Sequence, residues 1–538
     1  MIGLALLLAV QDASAPGEPV LEPSTLHCLA AYWVIRGDAN QNARVDVAVR
    51  ATGGEWRKAA PLWRVERGAS HLKLPDDAWL FAGSVVDLQP DTPYELRLTL
   101  VDPDGGGAEK VLSTRTIAEP VAPKDLVEVH VRPGKDAVRL AQRDAGPGTL
   151  FLLHAGVYEG TFDVFRSGEP GKPLIFRAAG DGEAVIDAQG KSNAISASGL
   201  HDVWFEGLTV RNGFKGLTAS NSSRVVVRRC RFHAVTYGYV STVNEKGDVE
   251  GCFLSDNVFE GPCTWPRTKG IESARAIQIT GAGHVVCYNR ISGFADAIDT
   301  MPSARCSAID FHNNEISEMT DDGIEMDYSD RNTRCFRNRF TNVFQGISEQ
   351  PVHGGPTYVF RNVLYNVCRE PFKLHNSPSG VLLYHNTIVK KGAPFFLSTN
   401  DPVHRVVTRN NLFIGSADTY VIQNEAPMVD CDFDLDGFAG GPFRQFMKWG
   451  SERYATVEEV RAKAPAYRRL VWIDAADLKV PEDEKRAAPL GFDPRLKVGI
   501  DAGEVLPGFN DGFTGQAPDL GAIEAGAAVP HYGPRPQK

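Results

Sequence analysis

Apolar and polar positions alternate in short runs along most of this chain. Arg224-Val-Val-Val-Arg228 and Tyr358-Val-Phe-Arg-Asn362 are typical, β-branched or aromatic and bounded by turn formers. Over residues 207–413 the runs recur with a fixed landmark: an Asn, any residue, then a large apolar residue. The landmark occurs at Asn257, Asn289, Asn314, Asn338, Asn362, Asn386 and Asn411, and subtracting neighbours gives steps of 32, 25, 24, 24, 24 and 25. Gly207-Leu-Thr and Cys230-Arg-Phe keep the step without the Asn. Self-similarity at this period marks a solenoid. No repeat carries apolar residues at helical spacing, so each repeat reads as one coil of two or three short strands.

The flanks read differently. From residue 19 to 116 the pattern is all-β and antiparallel in style, with Tyr94, Leu96, Leu98 and Leu100 on one face. Asp136 is placed to N-cap a helix whose Ala137, Leu140 and Ala141 share a face and cover the open end of the solenoid. Beyond Phe413 the repeat fades. Thr456 with Glu459 predicts a capping box for one helix running to about Ala462. Residues 490–526 are expected to pack back on the solenoid and the tail from Val529 to be flexible. Asp432, Asp434 and Asp436 imitate the start of a calcium loop, but Phe443 stands where the closing carboxylate is needed.

The Asn-x-apolar repeat resembles the right-handed parallel β-helix proteins of the pectate-lyase-like superfamily, over residues 129–423. Leu88-Gln-Pro-Asp-Thr-Pro-Tyr94 resembles the fibronectin type III signature, which implies a corner closed by Tyr94 and a buried Trp33. The expected fold is all-β: a right-handed parallel β-helix solenoid preceded by a fibronectin type III-like β-sandwich. The expected division is a signal peptide at 1–15, the sandwich at 16–118, a linker at 119–128, the β-helix at 129–425 and a closing segment at 426–538.

In a solenoid, residues one repeat apart touch. Four successive rungs are Asp296-Ala-Ile-Asp299, Asp322-Gly-Ile-Glu325, Gln345-Gly-Ile-Ser348 and Glu370-Pro-Phe-Lys373. Ile298, Ile324, Ile347 and Phe372 must point inward, so Asp299, Glu325, Ser348 and Lys373 point out. Two residues on, Met301, Asp327, Gln350 and His375 also face solvent, and Asp321 precedes the second rung. The strip is crowded with carboxylates at one end and carries Lys373 and His375 at the other. Like charges this close require raised pKa values, a cation among them, or neutralisation by Lys and His. Candidate catalytic residues are Lys373, His375, Asp299, Asp322 and Glu325. Glu370, Gln350, Glu349 and His353 are candidates for substrate contact. Asp296, Asp299, Asp322, Glu325 and Asp327 are candidate ligands for Ca²⁺. The column before each Asn (Tyr288, Arg337, Arg361, His385) forms a second, partly basic face.

The resemblance implies a carbohydrate-active protein with two enzymatic readings, of which a lyase acting on a uronate-containing polysaccharide is the expected one and a hydrolase the alternative. In a lyase, calcium neutralises a uronate carboxylate and Lys373 removes the α-proton; no Arg is placed beside Lys373 on the strip. In a hydrolase, Asp299, Asp321 and Asp322 supply acid and base, and Ala297-Ile-Asp-Thr300, Asp321-Asp322, His353-Gly354 and Phe372-Lys373 resemble the ordered motifs of polygalacturonase-type enzymes. The third reading is a non-catalytic glycan-binding or adhesion protein. An enzyme predicts loops walling the strip, with the insertion at 261–273 and residues 353–356 as candidates.

Composition narrows the partners. A net charge of −10 over 538 residues argues against nucleic acid and leaves a polysaccharide, including an anionic one, as the expected partner. Nine cysteines without metal-ligand spacing read mainly as small core residues, with room for one disulfide. Residues 2–10 are apolar and precede Ala13-Ser14-Ala15, a pattern that predicts export to the periplasm, cell surface or medium. No later stretch is long and apolar enough to span a membrane.

Overall fold

The chain is described by a computed structural model covering residues 12–242, 249–268, 270, 272–300, 306–416, 419–474 and 478–537. Most of the expected signal peptide lies outside these residues. Ala15 and Pro16 are described, and pair antiparallel with Arg36 and Ile35.

Residues 15–115 form an 8-stranded antiparallel sheet. The sheet is continuous, its two halves joined where Trp63 and Arg64 pair with Ala82 and Phe81. Trp33 is wholly buried in its core. The Gln89 amide donates to the Tyr94 hydroxyl at 2.9 Å, tying Tyr94 to backbone just upstream.

The solenoid is built from two long parallel sheets, of 14 and 18 strands, whose members come from successive coils. The core between them stacks like on like: Phe232 lies 4.7 Å from Phe259, and Phe151 4.6 Å from Phe176. The Asn landmark has a physical cause. Each Asn turns into the core, and from Asn289 onward its Oδ1 accepts both the backbone amide and Nδ2 of the Asn one coil earlier, while Asn257 Oδ1 accepts from the Cys230 amide at 2.9 Å. The amide bonds run Asn257 to Asn289, Asn289 to Asn314, Asn314 to Asn338, Asn338 to Asn362 and Asn362 to Asn386, all at 3.0 Å. They continue from Asn386 to Asn411 at 2.9 Å and end on Asp436 at 2.8 Å. The residue before each Asn adopts a left-handed conformation, as at Arg337 with φ 53° and Arg361 with φ 55°. That bend turns the Asn inward, where its amide satisfies turn groups that would otherwise be buried unpaired.

Several expectations need correction. The helix Ala137–Ala141 forms, but Asp136 is left-handed and makes no side-chain cap; Val138 is its buried residue and Leu140 is exposed. The second, basic face is covered by the C-terminal segment and the N-terminal unit. Arg361 donates to the carbonyls of Ala522 and Phe509, Arg337 pairs with Asp87 at 2.8 Å, and His385 is buried. The final residues are pinned rather than loose: Gly533 donates to the Asn313 carbonyl, and Arg535 pairs with Asp256 and Glu119. The Asp432, Asp434 and Asp436 trio points three ways, to Arg409, to Arg469 and into the Asn ladder. All nine cysteines are free. Thr456 accepts from the Glu459 amide at 3.2 Å and caps Val457–Lys463.

Candidate active site

The rungs align as the period of two requires. Ile298, Ile324, Ile347 and Phe372 stack in register, and Asp299, Glu325, Ser348 and Lys373 stack beside them. Ala297 and Ile298 both sit in the apolar core, whereas Asp296 and Asp322, though buried, meet the charged side chains of Arg275 and Lys373. Gly323 and Gly346 take the place of Ala297 in the following coils. A Cβ at Gly323 would lie 2.6 Å from both the Gly346 carbonyl oxygen and the Phe340 ring, so close stacking holds the acidic rungs together.

The centre of the strip is Asp322, which is fully buried. Its Oδ2 accepts from Lys373 Nζ at 2.7 Å, its backbone amide donates to Asp296 at 3.0 Å, and its Oδ1 has no hydrogen-bond partner among the described residues. Among the described residues, carboxylate oxygens of Asp296, Asp322 and Glu325 converge to within 4.8 Å of one another. Burial together with Asp322 pushes Asp296 well above the usual carboxylate range, against the pull of Arg275. Burial, then Asp296 and Asp327, does the same to Glu325. Asp321 is raised by burial and by Asp322. Burial alone would lower Lys373, but the Asp322 carboxylate outweighs it and holds the side chain as an ammonium.

The remaining candidates have their own partners. Asp299 turns to Arg275 at 2.7 Å and to Gln278 at 2.9 Å, away from the convergent set. Asp327 accepts from Ser348 and from the Gln350 amide, each at 2.7 Å, and burial, with Asp322 next, raises it to about 8. Gln350 thus meets the strip through its backbone. His375 pairs with Glu370 at 3.1 Å, and Glu370 is buried and accepts from the Ser398 amide at 2.6 Å. Glu349 is enclosed in the core, where it accepts from Thr357 at 2.9 Å; a residue directed inward lines no surface. His353 stands against the N-terminal unit, with its ring 4.3 Å from that of His71. Met301 lies outside the described residues.

Two arginines reach the acidic end of the strip. Arg275 sits one coil before Asp296 and pairs with Asp296 at 3.3 Å as well as with Asp299. Its signal was legible, because Arg275-Ala-Ile-Gln278 has the same form as Asp296-Ala-Ile-Asp299. Arg267, from the insertion at 261–273, reaches over the start of the strip. It lies 3.1 Å from Asp321 and stacks 3.7 Å above the Phe344 ring. Arg267, Arg275 and Lys373 therefore neutralise part of a cluster formed by Asp296, Asp299, Asp321, Asp322, Glu325 and Asp327, and protons or a cation must account for the rest.

No protein-family profile matches the chain. A stretch of 78 residues is 33% identical to the uncharacterized protein YwoF of Bacillus subtilis (strain 168), spanning 13% of this chain and 17% of that protein. Among solved structures the chain is similar to a PL6 family alginate lyase, with TM-score 0.39 and 10% identity over 61% of this chain and 46% of that one. It is also similar to the catalytic domain of a GH87 α-1,3-glucanase in complex with nigerose, with TM-score 0.27 and 11% identity over 87% of this chain and 96% of that one. Among the described residues no helix is long and apolar enough to cross a membrane.

Proposed function

We propose that this chain is a carbohydrate-active enzyme that cleaves a polysaccharide laid across the strip, and that hydrolysis is the reading its geometry supports best. The observation that carries this is the Lys373–Asp322 contact of 2.7 Å among carboxyl groups whose pKa values burial raises. Glu325, raised by burial and by its acidic neighbours, is the acid that gives a proton to the glycosidic oxygen as its bond to the anomeric carbon breaks. Asp322, whose carboxyl lies within 4.8 Å of that of Glu325, bonds to that carbon as nucleophile, and water then displaces it from the glycosyl-enzyme while Glu325 takes the water's proton. Lys373 orients Asp322 and, held as an ammonium, is no ready base. Perturbed carboxyl groups of this kind favour an enzyme over a flat binding surface.

A second reading, β-elimination, is favoured by the convergence of Asp296, Asp322 and Glu325. Three hard oxygen donors within 4.8 Å, with Asp322 Oδ1 unpaired, fit a calcium ion. Such an ion would supply charge neutralisation for a substrate carboxylate. With Asp322 engaged away from Lys373, the lysine would lose what holds its proton and could abstract one from the sugar.

One experiment separates them. Incubation with alginate, polygalacturonate and α-1,3-glucan, with calcium or chelator, is followed for new reducing ends and for ultraviolet absorbance of an unsaturated uronate. Reducing ends without absorbance support hydrolysis. Absorbance that needs calcium and Lys373 supports elimination. Neither signal on any polymer counts against both.

A further inference from the structure

On the side of the strip opposite Arg267, the N-terminal unit reaches the solenoid through loop 66–72. Glu66 accepts from Ser379 at 2.5 Å and pairs with His404 at 3.1 Å. The His71 amide donates to Asp330 at 2.8 Å, and the His71 ring nitrogen Nδ1 lies 3.4 Å from the same carboxylate. Gly354, with φ +87°, packs so tightly on this loop that a Cβ there would lie 2.5 Å from Val65. Residues 353–356, expected as a loop walling the strip, instead begin the strand His353–Phe360 of the 14-stranded sheet, and the N-terminal loop packs on them.

The result is a row of rings. His71 meets His353 edge to face with centroids 4.3 Å apart, and Tyr328 lies 6.4 Å from His353. Tyr328 follows Asp327 directly, which sets it at the end of the acidic strip, and its hydroxyl pKa is raised by burial and then by Asp327, Glu325 and Asp299. Asp330 is nearly buried while the His71 side chain is 41% exposed. With Nδ1 turned to Asp330, Nε2 of His71 points away from it. Aromatic faces beside a free ring nitrogen suit a pyranose, which presents axial C–H groups to a ring and hydroxyls to polar atoms.

We infer that Tyr328, His353 and His71 form a sugar-binding subsite next to the catalytic cluster, so that the N-terminal unit supplies part of the substrate cleft. This rests on the polysaccharide reading above but not on cleavage. It requires only that a glycan chain crossing the strip continues over Tyr328 toward His71.

The test is affinity electrophoresis of the full chain through gels containing alginate, polygalacturonate or carboxymethyl α-1,3-glucan, with thermal melts confirming that each variant is folded. His71→Ala and Tyr328→Ala are expected to weaken retention about fivefold in the gel that retards the wild type, while His71→Phe, which keeps the ring face but loses the ring nitrogens, should fall between His71→Ala and the wild type. On a polymer that is cleaved, the same Ala variants should raise KM with kcat little changed. Equal retention of the wild type and both Ala variants would overturn the subsite, as would failure of all three polymers to retard the wild type. Retention that depends on His71 and Tyr328, without cleavage, would uphold the subsite while refuting the enzyme reading.

Discussion

Lys373 Nζ lies 2.7 Å from Oδ2 of Asp322, two coils earlier and 51 residues away in sequence. The lysine side chain is 12% exposed and the aspartate is wholly enclosed, so each depends on the other for its charge. This pair joins the acidic and basic ends of the strip and sets what chemistry it can perform.

Removing the cation exposes that dependence. Lys373→Ala leaves Asp322 buried and unpaired, which should lower the free energy of unfolding by about 3 kcal/mol. Cleavage of a responsive polymer should fall by about 100-fold or more. Denaturant melts and initial rates check both, and a variant as stable and active as the wild type would remove Lys373 from the site.

Calcium binding makes its own prediction. If Asp296, Asp322 and Glu325 hold the ion, millimolar calcium should raise Tm by about 3 °C, and chelator should reverse it. Glu325→Gln should abolish the response by removing one charged ligand. Identical melting in calcium and chelator would speak against a cation at these three residues.

The Asn ladder should be the costliest polar feature to break. Asn338 donates to Asn362 and to the Phe311 carbonyl at 2.8 Å, and accepts from Asn314. Asn338→Ala strands several of these groups inside the core, at a cost of about 3 kcal/mol. An unfolding midpoint close to that of the wild type would show that water replaces the lost bonds.

Asp436, which ends the ladder, predicts a dependence on pH. Burial raises its carboxyl to about 7, above the usual unfolded value of about 4. The unfolded chain therefore releases this proton first as pH rises, and the group destabilises the fold increasingly from about pH 4 to about pH 7. Asp436→Asn removes that penalty and continues the ladder with an amide. Its Tm should exceed the wild type at pH 8 and match it near pH 4; the opposite order would refute the assignment.

Much of the architecture was legible in the chain because its cause is local and repeated. The Asn landmark, the left-handed residue before it and the alternation within each strand recur often enough to fix the coil and its register. Register in turn placed Asp299, Glu325, Ser348 and Lys373 in one column. Arg275 could have been added by the same rule. So could the inward turn of Glu349, which stands two residues after the inward Ile347 and by the period of two shares its face; its candidacy for substrate contact runs against that rule.

The sequence by itself determined the solenoid, the face that bears the acidic cluster and the buried Asn column, because contacts one repeat apart follow from spacing alone. Tertiary structure decided the rest. Arg267 reaching Asp321, His71 set against His353, and the C-terminal segment covering Arg361 all join residues with no fixed spacing. Which carboxylates converge and which find cations also depends on distances of a few ångströms, and these are set by how side chains pack once the coils are stacked.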